Sequence, residues 1–403
     1  MTTAKGPLEG IRVLDMATML AGPYAATLLG DLGADVIKVE SHYGDDSRHL
    51  GPERAGERSP FLSINRNKRS LVLDLRREPA QQAFARLLAT TDVLVTNVRE
   101  PSLSKLGQSY EQVRAHRADI IWACVTAFGP DGPYAGRPGI DFLAQGYAGL
   151  LSLNGHPGDK PVRVTVPLID TMTSELVCSG VLAALFHRER TGQGQRLDVC
   201  LLDALVHAQC SGIGAWFLKE EVTPKTGNRS QYFAPSGVYP TKDGKSVVIT
   251  CPSDKFFRNL AGAFEAGWAE DPRFRTIADR LANQDELDGV VSEATRRFVR
   301  EDLVERLVAA DVLTAPIKEI QEVADDPQVR HNGMIAATDH AILGSLEVTG
   351  CPIKLSGSPA AVRRSPPVHG QHTVELLAEL GYDDDQVAAM IEERDAGAMR
   401  SRR

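Results

Sequence analysis

The sequence predicts an α/β protein in which a Rossmann-like, doubly wound large domain is followed by a smaller α+β domain. Strand-like apolar runs alternate with helical stretches along the first half of the chain, and this alternation is typical of a parallel sheet with helices on both faces. After "QRLDVCLLDALVHAQ" the alternation ends, and "GVYPTKDGKSVVIT" predicts two strands joined by a turn at Asp243 and Gly244. With 403 residues, the chain is long enough for both domains.

The predicted elements of the first half follow one another without an internal repeat. They are the strand "IRVLDMA", a helix at 22–32, the strands "DVIKVE" and "SLVLDL", a helix near 79–89, the strand "DVLVTN", a further helix and the strand "DIIWACVTAFG". From Met172 to Phe186 apolar residues recur at helical spacing, which predicts a helix that Gly192 can end. Ligands of such sheets gather beyond the carboxyl ends of the strands.

These patterns divide the chain into four segments. We expect a large Rossmann-like domain over 1–200, a linker over 201–225, a small α+β domain over 226–325, and a linker with a C-terminal segment over 326–403. Residues 345–390 are too few to form a stable core alone. The last segment is therefore expected to return to the large domain.

Composition and charge exclude several classes of protein. The formal charge of −8 and the isoelectric point near 5.7 argue against a nucleic-acid-binding surface. The six cysteines form no C-x-x-C pair and have no metal-ligand spacing to histidine, so we expect free thiols and no metal site. The N-terminus lacks a signal-peptide core, and the uncharged run 16–30 is too short to span a membrane. We expect a cytoplasmic protein without nucleic-acid or membrane partners.

The first strand–helix turn does not carry a dinucleotide fingerprint. Its sequence, "MLAGPYAATLLGDLG", lacks G-x-G-x-x-G, and Pro23 stands where a glycine would let a pyrophosphate approach. Glu40 could imitate the acid that binds a ribose, but without the glycines an NAD(P) site is poorly supported. The chain also lacks a P-loop, a G-x-S-x-G elbow and an H-E-x-x-H zinc helix.

Basic and polar side chains collect at the predicted strand–helix junctions. The segments "NRNKRS", "LDLRRE" and "TNVREPSLSKLG" supply Lys68, Arg69, Arg76, Asn97 and Lys105. If the sheet brings these ends together, they would form a site for phosphate or carboxylate oxygens. A solvated charged surface is an equal alternative on composition alone.

Asp170 lies in "VPLIDTMTSELVCSG", between a short apolar run and the helical pattern that starts at Met172. Asp is among the residues preferred at a helix N-cap, where its oxygen accepts an orphan backbone N–H. The same carboxylate could be the reactive group of an enzyme. The stretch alone favours capping, and both interpretations remain open at this point.

Five stretches in chain order resemble the family III CoA-transferases, the group that includes formyl-CoA transferase and the carnitine and bile-acid CoA-transferases. They are "LEGIRVLDMATMLAGPYAATLLGDLGADVIKVE", "NRNKRSLVLDLR", "VTNVREPSLSKLG", "VPLIDTMTSELVCSGVLAALFHRERTGQGQ" and "GQHTVELLAELGY". The resemblance covers essentially the whole chain. It implies CoA transfer from an acyl-CoA to a carboxylic acid, without a tightly bound cofactor, by a homodimer of two interlocked, ring-like subunits.

The resemblance also implies roles for individual residues. Asp170 matches the family nucleophile, which would form an aspartyl mixed anhydride and then an aspartyl-CoA thioester, while backbone N–H groups at the following helix start stabilise charge on oxygen. The residues implied in CoA binding are Lys68, Arg69, Leu73, Arg76, Asn97, Val98, Lys105 and Leu106. Those implied in the substrate pocket are Leu20, Ala21 and Ile140.

Three positions depart from formyl-CoA transferase. Ser41 replaces an arginine after the second strand, so that His42 or Arg48 would have to supply that contact. Leu20 replaces a glutamine before "AGP", and the glycine-rich lid corresponds here to "KTGNRSQYFAPSG". A formyl and oxalate substrate pair is therefore not implied, and a lid role for 226–236 stays open.

The related α-methylacyl-CoA racemases share the aspartate but add a histidine thirty residues earlier, where this chain has Ile140. Isoleucine cannot carry a proton, and the neighbouring Asp141 would point in another direction on a strand or helix. A structural hydrogen-bonding role is favoured for Asp141. A transferase is therefore preferred to a racemase, and a non-catalytic acyl-CoA-binding protein is a further alternative.

Overall fold

The computed structural model describes residues 5–399, apart from the side chain of Glu100. It contains two compact units, and the chain passes between them more than once. Of the described residues, the first unit contains 5–148, Thr165–Ile213 and 327–399, and the second contains Gly149–Val164 and Gly214–Asp326.

The described residues form strands, α-helices and two short 3-10 helices, Asp46–His49 and Gly267–Ala269. The strands are β1 (Arg12–Asp15), β2 (Asp35–Glu40), β3 (Glu53–Arg54), β4 (Glu57–Arg58), β5 (Lys68–Leu73), β6 (Val93–Thr96), β7 (Ile121–Thr126), β8 (Arg196–Cys200), β9 (Ser236–Pro240), β10 (Ser246–Thr250), β11 (Leu313–Pro316), β12 (Ile335–His340), β13 (Gly344–Thr349) and β14 (Ala396–Gly397). The helices are α1 (Ala21–Asp31), α2 (Ser59–Ile64), α3 (Glu78–Leu88), α4 (Glu100–Lys105), α5 (Tyr110–His116), α6 (Asp141–Tyr147), α7 (Leu150–Leu153), α8 (Leu168–Thr191), α9 (Leu201–Ala208), α10 (Cys210–Lys219), α11 (Asp254–Ala263), α12 (Ile277–Ala282), α13 (Gln284–Thr295), α14 (Arg300–Ala309), α15 (Ile320–Ala324), α16 (Pro327–His331), α17 (Thr373–Glu379) and α18 (Asp384–Glu392).

A seven-stranded sheet in the order β14-β5-β2-β1-β6-β7-β8 forms the centre of the first unit. Its neighbouring strands are parallel, except that the short β14 pairs antiparallel with β5. Central strands such as β6 are fully buried apolar runs, as expected where a parallel sheet is covered on both faces. The prediction of an α/β protein with a parallel sheet is confirmed.

Helices cover both faces of this sheet. Successive strand residues point to opposite faces, so Ile37 joins a core with α3 and the C-terminal helices α17 and α18, whereas Val36 faces Gly30 of α1. α1 packs closely against α8. A Cβ atom on Gly22 would lie 2.3 Å from that of Ala17, so the close turn before α1 requires glycine there.

α8 is the long central helix of the first unit. Gly192 follows its last residue in the left-handed conformation, at φ +73°, which confirms the predicted helix end. Among the described helices, α8 is long and apolar enough to span a membrane by length and composition, and α9 with α10 is so only if this pair, bent by 67°, is counted as one span. Val177 and Val181 of α8 have no exposed area, as in the core helix of a globular unit.

The second unit contains the antiparallel sheet β11-β10-β9. The predicted pair of strands is confirmed, because β9 and β10 pair antiparallel and Gly244 takes a left-handed φ of +75° in their turn. α11, α13 and α14 cover this sheet, and Val247, Phe257 and Leu303 lie in the shared core.

Residues Gly149–Val164 belong to the second unit, although the sequence placed them within 1–200. The N–H of Gly227 donates to the carbonyl of Gly155 at 3.0 Å. Lys225 donates to two carbonyls of the same loop. These backbone contacts join sequence segments that periodicity alone could not pair.

Candidate active site

Asp170 is the third residue of α8 and is half-buried in its first turn. The N-cap position belongs to Pro167, where no side chain caps the helix, so the capping interpretation of Asp170 is wrong. Within the described residues, the Asp170 carboxylate accepts no hydrogen bond and has no ion-pair partner. The carboxylate is therefore available to a ligand.

Asp141 caps α8 instead, from the first position of α6. Its Oδ2 accepts the backbone N–H groups of Ile169 at 2.8 Å and of Asp170 at 3.2 Å. Its Oδ1 accepts from Nε2 of Gln145 at 2.6 Å. The structural hydrogen-bonding role favoured for Asp141 is confirmed.

The N–H groups of the first turn of α8, from Leu168 to Thr171, all donate to acceptors in the first unit. They are not free to stabilise an oxyanion, contrary to the expectation from the sequence. The positive end of the helix dipole still favours negative charge beside Asp170.

Burial raises the pKa of Asp170, and the nearby carboxylate of Asp141 raises it further, to about 7. A free aspartate titrates near pH ~4. Near neutral pH a substantial fraction of Asp170 is therefore ionised and a substantial fraction protonated. A half-buried carboxylate beside a second acid, without a compensating cation, is typical of a reactive group.

The turn between β1 and α1 lies against the start of α8. The hydroxyl of Ser174, one helical turn after Asp170, lies 2.8 Å from the carbonyl oxygens of both Ala21 and Asp170. The structure thus brings Ala21, and with it Leu20, close to Asp170. Ile140 directly precedes Asp141, the residue that caps α8, and is 62% exposed.

The same turn contains a strained residue. Met19 has a left-handed φ of +67°, which costs energy for any residue except glycine. Its N–H donates to Oδ1 of Asp45 at 3.2 Å, and Thr18 exchanges two hydrogen bonds with the side-chain amide of Asn97. Such strain is common at ligand sites, where the surrounding structure enforces it.

Lys68 lies in a buried charge cluster beneath this turn and not at a free surface. Its Nζ donates to Asp15 Oδ2 at 2.7 Å, to the carbonyl of Pro23 at 2.6 Å and to Asn65 Oδ1 at 2.7 Å. The side chain has no exposed area, and burial lowers the pKa of Lys68 to about 8. All three ammonium donors are used within the fold, so Lys68 presents none to CoA, contrary to the expectation.

Arg69 is also occupied within the fold. Its guanidinium forms ion pairs with Asp35, Glu375 and Glu379 at 2.5–2.8 Å, and its side chain is only 6% exposed. It joins β5 to α17 and does not present a free charge to a ligand.

Lys105 and Leu106 line a cavity of about 460 Å³ together with Leu75 and residues of α3 and α5. Lys105 is exposed and has no acidic partner within the described residues. Arg76, next to Leu75, is also exposed and forms an ion pair with Asp74 at 2.8 Å. The structure therefore brings Leu75, which follows β5, and Lys105, at the end of α4, to one cavity.

Leu73, Asn97 and Val98 offer no free polar side chain. Leu73 is buried, Val98 packs against the same core, and the amide of Asn97 binds Thr18. A ligand at these positions would contact backbone atoms or apolar surface.

Arg137 was missed by the sequence analysis. It lies in the exposed loop after β7, where its guanidinium is 4.3 Å from the ring centroid of Tyr134 and donates to the hydroxyl of Tyr147 at 3.4 Å. It has no carboxylate partner within the described residues. A single arginine in "GPDGPYAGRPG", a glycine- and proline-rich segment after a strand, was the available signal.

Neither residue considered as a substitute at Ser41 is free. The guanidinium of Arg48 binds both carboxylate oxygens of Glu40, at 2.7 and 2.9 Å. The Nε2 atom of His42 pairs with the carbonyl of Arg394 at 2.8 Å. The contact that an arginine would make after β2 therefore has no direct replacement in these two side chains.

The described residues contain no group of three or more His, Cys, Asp or Glu side chains that could hold a metal ion. The six cysteines are free thiols, and Cys210 is the exposed one. Asp170 remains the candidate reactive group, as an unpaired carboxylate with a raised pKa.

Comparisons with known proteins identify the family. The sequence profile of CoA-transferase family III matches residues 8–373. The chain is 37% identical to the succinyl-CoA–L-malate CoA-transferase beta subunit of Chloroflexus aurantiacus, over 96% of this chain and 97% of that protein. It is 34% identical to the succinate–glutarate CoA-transferase of Agrobacterium fabrum, over 94% and 97% of the two chains.

A solved structure shows the same fold. The CaiB/BaiF family protein from Brucella suis matches with a TM-score of 0.87 and 33% identity, over 94% of this chain and 100% of that chain. The family profile and these relatives each span most of the chain. The protein therefore belongs to CoA-transferase family III and is an enzyme of that family.

Proposed function

We propose that this enzyme transfers CoA from an acyl-CoA to a carboxylic acid with Asp170 as the nucleophile. The observation that carries the proposal is the Asp170 carboxylate, which is half-buried, unpaired within the described residues and has a pKa raised to about 7. Holding such a group without a partner opposes folding. A covalent role explains its presence better than a structural one.

The reaction consists of four acyl exchanges. Ionised Asp170 attacks the thioester carbonyl, which gives a mixed anhydride and releases CoA thiolate. The bound thiolate attacks the aspartyl carbonyl, giving an aspartyl-CoA thioester and the free donor acid. The acceptor carboxylate attacks this thioester to form a second anhydride and thiolate, and the thiolate then attacks the acceptor carbonyl, which restores Asp170.

Each exchange replaces one activated acyl bond by another, so the thioester energy is conserved and no oxidant or nucleotide is consumed. CoA must remain bound between the steps, because a high effective concentration of thiolate is what outcompetes water for the anhydride. In this scheme CoA is a cosubstrate that enters and leaves with the acyl groups, and it is not a permanently bound cofactor.

Oxyanion stabilisation is assigned to the start of α1. The N–H groups of Ile169 and Asp170 bind Asp141, whereas those of Ala21 and Gly22 have no acceptor within the described residues. The Ser174 hydroxyl contacts the carbonyl oxygens of Ala21 and Asp170, which supports the assignment of these two free donors to the reacting carboxylate. Backbone donors at a helix start suit a developing negative oxygen.

CoA binding is assigned to the cavity that Lys105 and Leu106 line, with Arg76 and Arg137 as further exposed cations. Their charges suit the phosphate groups of CoA. Lys68 and Arg69 are left out, because their side chains are used inside the fold. Leu73, Asn97 and Val98 would contribute backbone and apolar contacts.

The relatives suggest the class of substrates. Their names describe transfer between succinyl-CoA and L-malate, between succinate and glutarate, and between acetyl-CoA and oxalate in the Acetobacter aceti enzyme, which is 33% identical. We infer succinyl-CoA as the donor and a small dicarboxylic acid as the acceptor, used in the cytoplasm.

The assembly is inferred to be a homodimer of interlocked subunits. Large apolar side chains are exposed in the isolated chain, including Phe186, Phe217 and Leu218 at 64–81%, and such side chains are usually covered by a partner. One relative is the beta subunit of a transferase, so a heteromer is the competing arrangement. The mass of the purified protein by light scattering decides between them.

The racemase alternative is less well supported. It needs a second acid or base beside Asp170, but Ile140 cannot serve, and both oxygens of Asp141 accept hydrogen bonds that hold α6 and α8. A racemase would exchange the α-proton of a 2-methylacyl-CoA with solvent deuterium, and we expect no such exchange. A non-catalytic acyl-CoA-binding protein would instead be stabilised by acyl-CoA without any transfer.

The deciding experiment follows CoA exchange by mass spectrometry, with succinyl-CoA and a panel of dicarboxylic acids. The rate of CoA exchange should fall about a thousandfold or more in the Asp170→Asn variant. The Glu175→Gln variant should keep the wild-type rate. Glu175 is a matched control, since it is on the same helix and burial also raises its pKa. Unchanged exchange in Asp170→Asn would remove Asp170 as nucleophile.

A second readout tests the covalent route. After a single turnover with an acceptor whose carboxylate carries heavy oxygen, one labelled atom should appear in the tryptic peptide that contains Asp170, because the bridging acceptor oxygen remains on Asp170 when the thiolate attacks the acceptor carbonyl. Transfer without label in that peptide would contradict the anhydride mechanism while leaving the transferase activity intact.

A further inference from the structure

A second cavity, of about 440 Å³, lies in the first unit and shares no lining residue with the sites described above. Its lining residues come from β12, from the turn after it and from the loop that leads into α17: Ala337, Thr338, Asp339, Ala341, Val362, Arg363, Arg364, Ser365, Gln371 and His372. We call it the β12 cavity. Its volume is in the range of pockets that hold small organic molecules, roughly 300–1,000 Å³.

Three side chains that line the β12 cavity have unused donors. The guanidinium of Arg364 forms no hydrogen bond or ion pair within the described residues. Gln371 uses its Oε1 to accept the N–H of Val368 at 2.9 Å, and its Nε2 has no acceptor there. The Nδ1 atom of His372 accepts the N–H of Ser70 at 3.1 Å, so a neutral ring carries its hydrogen on Nε2, which also has no acceptor.

The wall that carries Arg364 is held rigidly in place. Asn67 Oδ1 accepts the backbone N–H groups of Arg363 and Arg364 at 2.6 and 2.9 Å. The N–H of Asn67 donates to the carbonyl of Arg364 at 3.0 Å, and its Nδ2 donates to the carbonyl of Ala361 at 2.8 Å. Arg363 points its guanidinium at backbone carbonyls of α1 and its own loop. A pre-ordered wall reduces the entropy lost when a ligand binds.

The cavity also contains one unpaired acid. Asp339 is exposed and has no hydrogen-bond or ion-pair partner within the described residues. An arginine with neutral donors suits a carboxylate or phosphate, and an aspartate suits a hydroxyl or ammonium group. The two charges therefore select a molecule with both an anionic group and a donor group.

We propose that the β12 cavity binds a small organic anion, through its carboxylate or phosphate at Arg364, Gln371 and His372 and through a hydroxyl or ammonium group at Asp339. This is a second binding site, separate from the CoA and carboxylate sites around Asp170. His372, which the ligand would contact, accepts a hydrogen bond from the N–H of Ser70 in β5.

The test measures binding of two probes to the full-length enzyme by calorimetry, with saturating CoA present so that the CoA site is filled. Glycerol phosphate supplies a phosphate with hydroxyl groups, and glycerate supplies a carboxylate with hydroxyl groups. At least one probe should bind, and Arg364→Gln should weaken it about tenfold or more, as for a lost charge-assisted hydrogen bond. The variant Arg258→Gln is the matched control, since Arg258 is another exposed arginine without a partner in the described chain.

Hydrogen exchange locates the site independently of the variants. The bound probe should protect the segments 337–341 and 361–373, and Asp339→Asn should weaken both probes without removing the protection. Equal affinity in Arg364→Gln and the wild type, protection confined to other segments, or no binding of either probe at millimolar concentration would each overturn the proposal. None of these outcomes depends on transferase activity, so the proposed function stands or fails separately.

Discussion

Two carboxylates of the first unit, Glu40 and Asp170, have pKa values shifted in opposite directions, although burial raises the pKa of both. Burial raises the pKa of Glu40, but the nearby Arg48 and Lys38 lower it by more, to about 2. Burial also raises the pKa of Asp170, and there Asp141 adds to the effect, so that the value reaches about 7. The difference lies in the partner: a carboxylate with a cation is a structural group, whereas one without a cation is available for chemistry.

The buried ion pairs around Glu40 also stabilise the turn next to Asp170. Burial lowers the pKa of Lys38, but Asp15 and Asp45 raise it to about 12, so its charge is permanent. Asp45 in turn accepts the N–H of Met19, two residues before Ala21. The compensated cluster thus fixes the strained turn that faces Asp170.

The largest effect on stability should come from breaking the ion pair between Arg48 and Glu40. Arg48→Met leaves Glu40 buried without its principal cation, so the free energy of unfolding at pH 7 should fall by about 3 kcal/mol or more. The folded pKa of Glu40 lies below its unfolded value, so this contribution is full above pH ~4.3 and is lost as the pH falls toward 2. Urea unfolding across pH measures it.

The control for Arg48→Met is Arg273→Met, which breaks an exposed pair with Asp271. Its unfolding midpoint should not change, because exposed ion pairs contribute little. An equal loss of unfolding free energy in the two variants would mean that Arg48 does not stabilise the buried Glu40. The contrast between a carboxylate paired with a cation and the unpaired Asp170 would then be wrong.

A smaller effect of opposite sign is expected at the unpaired group. The folded pKa of Asp170 lies above its unfolded value near 4, so the ionised form opposes folding increasingly as the pH rises from about 4 to 7. Asp170→Asn should therefore raise the free energy of unfolding by about 1–3 kcal/mol at pH 8, with no difference below pH ~4. A variant that is less stable at pH 8 would contradict the raised pKa.

The pH dependence of catalysis separates the two causes of that raised pKa. The rate of enzyme acylation should fall about tenfold per pH unit below the pKa of Asp170, since only the ionised form attacks. Asp141→Asn removes the second cause, so the inflection should move downward while burial keeps it above pH ~4. Stopped-flow single turnovers measure it, and an inflection that stays at about 7 in the variant would assign the shift to burial alone.

Much of the fold follows from local pattern, because strand and helix periods do not depend on distant partners. The spacing from Met172 to Gly192 predicts where α8 ends, and the Asp243–Gly244 turn predicts the pairing of β9 with β10. The start of α8 was harder to predict from the sequence. It depends on Asp141, which is 29 residues before Asp170 and caps the helix from α6.

The site was harder to predict for the same reason. In the sequence, the charges of Lys68 and Arg69 look like those of Arg76 and Lys105, yet Lys68 bonds to Asp15, 53 residues away, and Arg69 to Glu379, 310 residues away. Only the folded chain distinguishes a cation that neutralises a buried acid from one that faces solvent. A resemblance identified the position of Asp170, but its lack of a partner required the structure.

The smallest expected effect concerns Ser174. Its hydroxyl contacts the carbonyl oxygens of Ala21, in the turn before α1, and of Asp170, in α8. Ser174→Ala removes the hydroxyl that holds the β1–α1 turn against α8, so kcat should fall about threefold to tenfold while KM for acyl-CoA stays nearly constant. Ser179→Ala is the control, because Ser179 is exposed on the same helix and makes no side-chain hydrogen bond within the described residues. If Ser174→Ala were less stable but had an unchanged kcat, Ser174 would only stabilise the packing of the β1–α1 turn against α8. The position of the Ala21 and Gly22 N–H groups would then not depend on the Ser174 hydroxyl.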